Sequence, residues 1–104
     1  MHTVDIIVPC YNEEEGLSMF YDETSKVINT IPNYSFRYIF IDDGSKDNTY
    51  KKILELAKAH NDVKYVSFSR NFGKEAGMYA GLTYSTADYV IIMDADLQHP
   101  PALI

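Results

Sequence analysis

"DYVIIMDADLQ" (residues 88–98) joins five consecutive apolar side chains, Tyr89 to Met93, to three oxygen-bearing ones at alternate positions, Asp94, Asp96 and Gln98. A short apolar run of this kind reads as a buried strand. Acidic side chains released directly from its end usually serve a cation or a cap. Three similar runs precede it: "VDIIVP" (4–9), "FRYIFID" (36–42) and "VKYVSFS" (63–69). Helical patterns separate them, so the order is strand, helix, strand, helix, strand, helix, strand. That alternation predicts an α/β fold, a Rossmann-like, mostly parallel sheet with flanking helices.

The helices are read from their periodicity. Leu17, Phe20, Tyr21, Thr24, Val27, Ile28 and Ile31 recur at three- and four-residue steps and mark the buried face of the first. Asn12 is its expected cap, with Glu13 to Glu15 in the first turn. Tyr50, Ile53, Leu54 and Ala57 define a second helix behind the cap candidates Ser45 and Asp47. The third, in "NFGKEAGMYAGLTYS" (71–85), carries Gly73, Gly77 and Gly81 every fourth residue. Such a small-residue stripe lets the helix approach either the sheet or a ligand closely.

With 104 residues, one domain is expected and two are not. Hydrophobic residues at 46% and charged residues at 23% describe an ordinary globular chain. A net charge of −6, with no run of Lys or Arg, argues against a nucleic-acid partner, so any anionic ligand must be recruited locally. Cys10 is the single cysteine and is expected to be a buried, non-catalytic thiol in a reducing compartment. The first fifteen residues lack the basic and apolar regions of a signal peptide, and no segment has membrane-spanning length, which predicts a soluble cytoplasmic location.

In a parallel α/β sheet all strands end at one edge, and ligands bind in the crevice there. The strand ends supply Pro9, Tyr11, Asn12 and Glu13; Asp42, Asp43, Gly44 and Ser45; Ser69, Arg70 and Asn71; and Asp94, Asp96 and Gln98. Tyr11 either stacks on a nucleobase or packs on its neighbours. "DDGS" suits a turn, but a turn needs one aspartate, and the second is available to a base N–H or a ribose hydroxyl. Arg70 is placed for a phosphate or base contact, Lys74 less so. Two carboxylates two residues apart repel each other unless a cation or proton intervenes. Oxygen ligands of this type suit Mg²⁺ or Mn²⁺, which would bridge an acidic rim to a diphosphate.

Together, "VPCYNEEEGL" (8–17), "IDDGSKDNT" (41–49), "SRNFGKEAGMYAGL" (69–82) and "MDADLQHPP" (93–101) resemble the N-terminal half of family 2 glycosyltransferases with the GT-A fold. The last two look most like the branch that moves a sugar onto a polyprenyl phosphate. The resemblance implies an inverting transferase that binds a nucleoside-diphosphate sugar with Mg²⁺ or Mn²⁺ and passes the sugar to a lipid-phosphate or glycan acceptor. It implies that Pro9, Tyr11, Glu13, Asp42, Asp43, Arg70 and Asp94 surround the nucleotide and that Asp96 and Gln98 hold the metal. No residue is implied as the catalytic base. Residues 1–104 would then be the nucleotide-sugar-binding N-terminal part of a longer domain, inactive alone, whose parent sits at the cytoplasmic face of a membrane. The apolar run 89–93, left uncovered, would template pairing and favour a homodimer. The alternatives are a non-catalytic nucleotide-binding module and a Mg²⁺-dependent receiver-like phosphotransfer domain. The latter should carry its acidic pair after the first strand, where this chain has "PCYNE".

Overall fold

The computed structural model describes residues 2–95. Asp96 and Gln98, the expected metal ligands, lie outside the described residues. Seven elements alternate as expected: β1 (His2–Cys10), α1 (Leu17–Ile28), β2 (Tyr34–Asp42), α2 (Thr49–Ala59), β3 (Val63–Ser67), α3 (Lys74–Tyr84) and β4 (Tyr89–Ile92). All strand pairings are parallel, in the order β3-β2-β1-β4. The chain therefore runs outward from β1 through β2 to β3, then crosses back to place β4 on the other side of β1. Order reverses between β1 and β4, and their carboxyl ends flank the crevice where such sheets take ligands.

The two-residue alternation of β1 and β2 divides the interior. Ile6, Val8 and Cys10 face the same layer as Tyr38 and Phe40, against Leu17, Phe20, Tyr21 and Ile28 of α1 and Ile53 of α2. Ile7, Ile39 and Ile41 face the opposite layer, where α3 lies. Of the face read from periodicity, Leu17, Phe20, Tyr21, Thr24 and Ile28 are buried, whereas Val27 is only partly buried and Ile31 lies beyond the end of the helix. In α2 the expected face is shifted: Ile53 and Thr49 are buried, whereas Tyr50 and Leu54 are exposed on the rim.

Not every strand is buried as expected. β3 and β4 border the described sheet and cover less of themselves; Tyr65, Tyr89, Val90 and Ile92 are all exposed. β3 also ends at Ser67, two residues short of the expected 69; the Phe68 N–H still donates to Asp42 O of β2 at 2.9 Å, and the chain then leaves the sheet.

Two features seat α3. Gly77 and Gly81 are buried against the sheet. A Cβ on Gly81 would lie 2.5 Å from Ile7 Cγ2, and one on Gly77 would lie 3.4 Å from Ile41 Cγ2. The glycine stripe is thus a helix-on-sheet contact. At the far end of α3, Ser85 and Arg37 converge on Asp5, which is 1% exposed. Arg37 donates Nε to Oδ1 and Nη2 to Oδ2, both at 2.9 Å, and the Ser85 hydroxyl donates to Oδ2 at 2.6 Å. The Arg37 guanidinium lies 5.7 Å from the centre of the Tyr84 ring. Burial pushes the Asp5 carboxyl up, but the hydrogen bonds from Arg37 and Ser85 and the Arg37 charge outweigh it and hold it below its ordinary value.

Gly81→Ala should lower the unfolding free energy by about 1–3 kcal/mol through overpacking, although alanine is the better helix former by about 1 kcal/mol. A urea midpoint equal to or above that of the wild type would show that α3 is not held this close to Ile7. The Asp5 pair predicts a pH dependence. Its depressed carboxyl stabilises the fold above its unfolded value, about 3.9, and that contribution is lost as pH falls through the lower folded value. Arg37→Met should cost about 3 kcal/mol near neutral pH, because it leaves a buried carboxylate unpaired. In that variant protonating Asp5 relieves the penalty, so the stability gap to the wild type should narrow as pH falls toward about 4. A gap that is constant with pH would mean that the pair carries no charge coupling.

Candidate functional site

The rim at the carboxyl ends of β1, β2 and β4 is built by three loops that hold one another. After β1 the chain turns at Asn12, whose φ of 53° is one that asparagine tolerates better than most residues. Its N–H donates to Ser45 Oγ at 3.0 Å, and its side-chain oxygen accepts the Lys46 N–H at 2.9 Å. The next N–H, of Glu13, donates to Thr49 Oγ1 at 2.7 Å. Asn12 is therefore not the cap of α1: its amide is used by the β2–α2 loop, and the helix starts five residues later, at Leu17 behind Gly16, without a side-chain cap. Glu13 to Glu15 precede the helix instead of filling its first turn. Neither cap candidate for α2 takes the cap position, which is Asn48 and has no side-chain cap bond; Asp47, one residue earlier, accepts both the N–H and the hydroxyl of Thr49, the first helical residue. Ser45 serves Asn12.

The paired aspartates divide their work. Asp42 accepts the Ser45 N–H at 3.2 Å and the Ser67 hydroxyl at 3.4 Å, closing the turn and tying it to β3. Asp43, 4% exposed, reaches the β3–α3 loop: Oδ1 accepts the Phe72 N–H at 2.8 Å, and Oδ2 accepts the Gly73 N–H at 3.0 Å and Asn71 Nδ2 at 3.1 Å. Gly44 between these contacts has a φ of 69°, and a Cβ there would stand 2.2 Å from the Arg70 carbonyl carbon. Only glycine lets the two loops cross at this height.

These loops enclose a cleft of about 430 Å³ lined by Pro9, Cys10, Tyr11, Glu13, Asp43, Asn71, Gly73, Lys74 and Asp94. It sits at the β1/β4 switch. Pro9, Tyr11, Glu13, Asp43 and Asp94 come together there from three strand ends, as expected from sequence. Asp42 lies behind the wall and Arg70 does not line the cleft; the Arg70 guanidinium is 5.0 Å from the centre of the Phe72 ring. Lys74, ranked below Arg70 from sequence, does line it, and its Nζ lies 2.6 Å from Asp94 Oδ1. Sequence reading missed this pairing because the partners are twenty positions apart. Tyr11 is 40% exposed at the wall, open to a flat ligand. Cys10 is buried in the floor, donating to Val8 O at 3.3 Å. Burial, with the charges of Glu13, Asp42 and Asp94, pushes its thiol well above the ordinary value, so it is a neutral wall group and no nucleophile. A second hollow, about 360 Å³, lies toward the other end of β1 and β4 and is lined by Val4, Ile31, Tyr34, Phe36, Tyr89, Val90 and Ile91. No charged side chain lines it among the described residues; its side chains are apolar apart from the Tyr34 and Tyr89 hydroxyls.

A cleft lined by four charged side chains stands at the carboxyl edge of a parallel sheet, where strand order reverses, the place where α/β proteins of this doubly wound class take their ligands. The chain belongs to glycosyl transferase family 2, whose family model matches residues 5–104. It is 45% identical to CsbB of Bacillus subtilis (strain 168), over 97% of this chain and 30% of that protein. It is 43% identical to the bactoprenol glucosyl transferase of Shigella phage SfX, over 97% of this chain and 33% of that one. The chain thus spans about a third of the length of the curated relatives it matches. Among solved structures, the mannosyltransferase PcManGT from Pyrobaculum calidifontis, in complex with GDP-Man and Mn²⁺, superposes with a TM-score of 0.76 at 26% identity, covering 89% of this chain and 27% of that one. Residues 1–349 of S. aureus TarS in complex with UDP share the fold, with a TM-score of 0.77 at 22% identity over 90% of this chain and 27% of that one. The four-stranded sheet and its helices match the N-terminal part of these GT-A structures.

Asp43→Ala should destabilise the fold by about 2–3 kcal/mol, since it strands the N–H groups of Phe72 and Gly73. Amide hydrogen exchange at those two positions should accelerate more than in the strands. Unchanged protection there would show that the carboxylate does not hold the loop.

Proposed function

We propose that this chain forms the donor-binding part of an inverting glycosyltransferase, which takes a nucleoside-diphosphate sugar and passes the sugar to a polyprenyl phosphate. The observation that carries the reading is the cleft at the β1/β4 switch, where Tyr11, Glu13, Asp43, Lys74 and Asp94 meet. A likeness of 43% to a bactoprenol glucosyl transferase supports the lipid-phosphate acceptor, and the GDP-Man complex of a structural neighbour supports the donor class. In this reading Tyr11 and Pro9 flank the nucleoside, and Glu13 and Asp43 face its polar edge. Asp42 and Arg70 act from behind, holding the turn and the loop. The acceptor oxygen attacks the anomeric carbon from the side opposite the departing nucleoside diphosphate. A phosphate acceptor is already largely ionised near neutral pH, so the reaction places little demand on a general base.

The donor is expected to arrive with Mg²⁺ or Mn²⁺. Among the described residues no three His, Cys, Asp or Glu side chains gather as a metal site. The carboxylate that enters the cleft, Asp94, already draws a cation to itself in the form of the Lys74 ammonium. The oxygen donors of Asp96 and Gln98, two and four positions further along the sequence, are of the hard type these metals take. When bound, the ion would neutralise charge on the diphosphate leaving group. Among the described residues no helix is long and apolar enough to cross a membrane; with a lipid acceptor the working enzyme would act at a membrane surface, and the face we propose is the cytoplasmic one.

Calorimetric titration with UDP and GDP, each with and without Mn²⁺, tests the reading. Saturable binding of one of them is expected, strengthened by Mn²⁺. Asp96→Asn should weaken it at least about tenfold with Mn²⁺, equivalent to about 1.4 kcal/mol, and far less without. Absence of binding by either nucleotide, or equal affinity of variant and wild type at saturating Mn²⁺, would overturn the proposal.

A further inference from the structure

We propose that Lys74 is the residue that grips the donor diphosphate, and that its ammonium exchanges Asp94 for the diphosphate when a donor enters the cleft. The proposal rests on the donor-binding reading above and adds a residue and a swap to it. Among the described residues lining the cleft, Glu13, Asp43 and Asp94 are acidic and Lys74 alone is cationic. A diphosphate entering this acidic space needs a counter-charge, and the Arg70 guanidinium is laid over Phe72 instead.

Geometry fixes where the lysine starts and leaves its end able to move. It is the first residue of α3. The preceding Gly73 N–H is held by Asp43 at 3.0 Å, and Gly77 and Gly81 seat the helix on Ile41 and Ile7. Its backbone is therefore anchored at the cleft mouth, while the four-carbon stem carries a side chain that is 56% exposed. An ion pair of that exposure adds little to stability, so exchanging one anionic partner for another is cheap. A compact ammonium suits the shifting oxygens of a diphosphate.

The test compares UDP and GDP with uridine and guanosine, on the 104-residue chain and its variants, by calorimetry in Mn²⁺. Lys74→Met should weaken the diphosphates about tenfold or more and leave the nucleosides unchanged, with Lys74→Arg keeping most of the affinity. A lysine that merely props the cleft would lose nucleoside and diphosphate alike, and that outcome would overturn the proposal, as would a Lys74→Met chain that binds diphosphates like the wild type. A second variant reads the swap from the other side. Asp94→Asn releases the ammonium, so metal-free diphosphate binding should tighten about threefold, a gain that vanishes in the Lys74→Met/Asp94→Asn double variant. No gain, or one that persists in the double variant, would refute the swap. Failure of the wild type to bind any nucleoside diphosphate would sink the donor-binding reading itself, and this inference with it.

Discussion

The N–H groups of Phe72 and Gly73 and the side-chain amide of Asn71 all point at one carboxylate, that of Asp43 at the end of β2. The loop they belong to crosses over the turn at Gly44, so close that no side chain fits beneath it. Donors in such a place have little water to turn to, and leaving them unpaired would cost more than any gain the turn could offer. Asp43 thereby sets the height and direction at which α3 begins. The far end of the same helix is held by Ser85 on Asp5, and its middle by two glycines against Ile7 and Ile41. A helix pinned at three places anchors the backbone of its first residue, Lys74, at the mouth of the cleft.

The cleft is consequently stiff in its walls and adjustable at its mouth. The β1–α1 and β2–α2 loops exchange hydrogen bonds through Asn12, Ser45, Lys46, Glu13 and Thr49, which removes much of the freedom that loops usually keep. Preorganisation of this kind lowers the ordering cost of binding a ligand. What stays free to respond are the half-exposed ring of Tyr11 and the ammonium of Lys74. The acidic balance of the lining makes cations, whether the lysine or a divalent metal, the natural mediators between this chain and a polyanion.

Much of the architecture was legible in residue order, and the reasons are particular. The apolar runs around Ile6 and Phe40 announced central strands because both their faces are buried, and the steps from Leu17 to Ile28 announced α1 because a helix hides one face. The strand ends could be named as a site since parallel strands all deliver their ends to one edge. The motifs around Tyr11, Asp43, Arg70 and Asp94 carried the family resemblance. Local rules failed where a neighbouring loop outbid them. Asn12 has the chemistry of a helix cap, yet Ser45 and Lys46 claim it first. Tyr50 and Leu54 have the right period for α2 but sit over the open rim at β3.

The sequence by itself determined the alternation of strands and helices, the edge where chemistry is concentrated and the glycine stripe on α3, because these depend on periods of two and near four along the chain and on chirality shared by every such fold. Only the tertiary structure decided that β4 lies beside β1, that Asp42 ties its own turn to β3 while Asp43 holds the β3–α3 loop, and that Lys74, not Arg70, faces the cleft. Those outcomes turn on contacts between residues about twenty to eighty-five positions apart, where hydrogen bonds and charges find partners that no local pattern encodes.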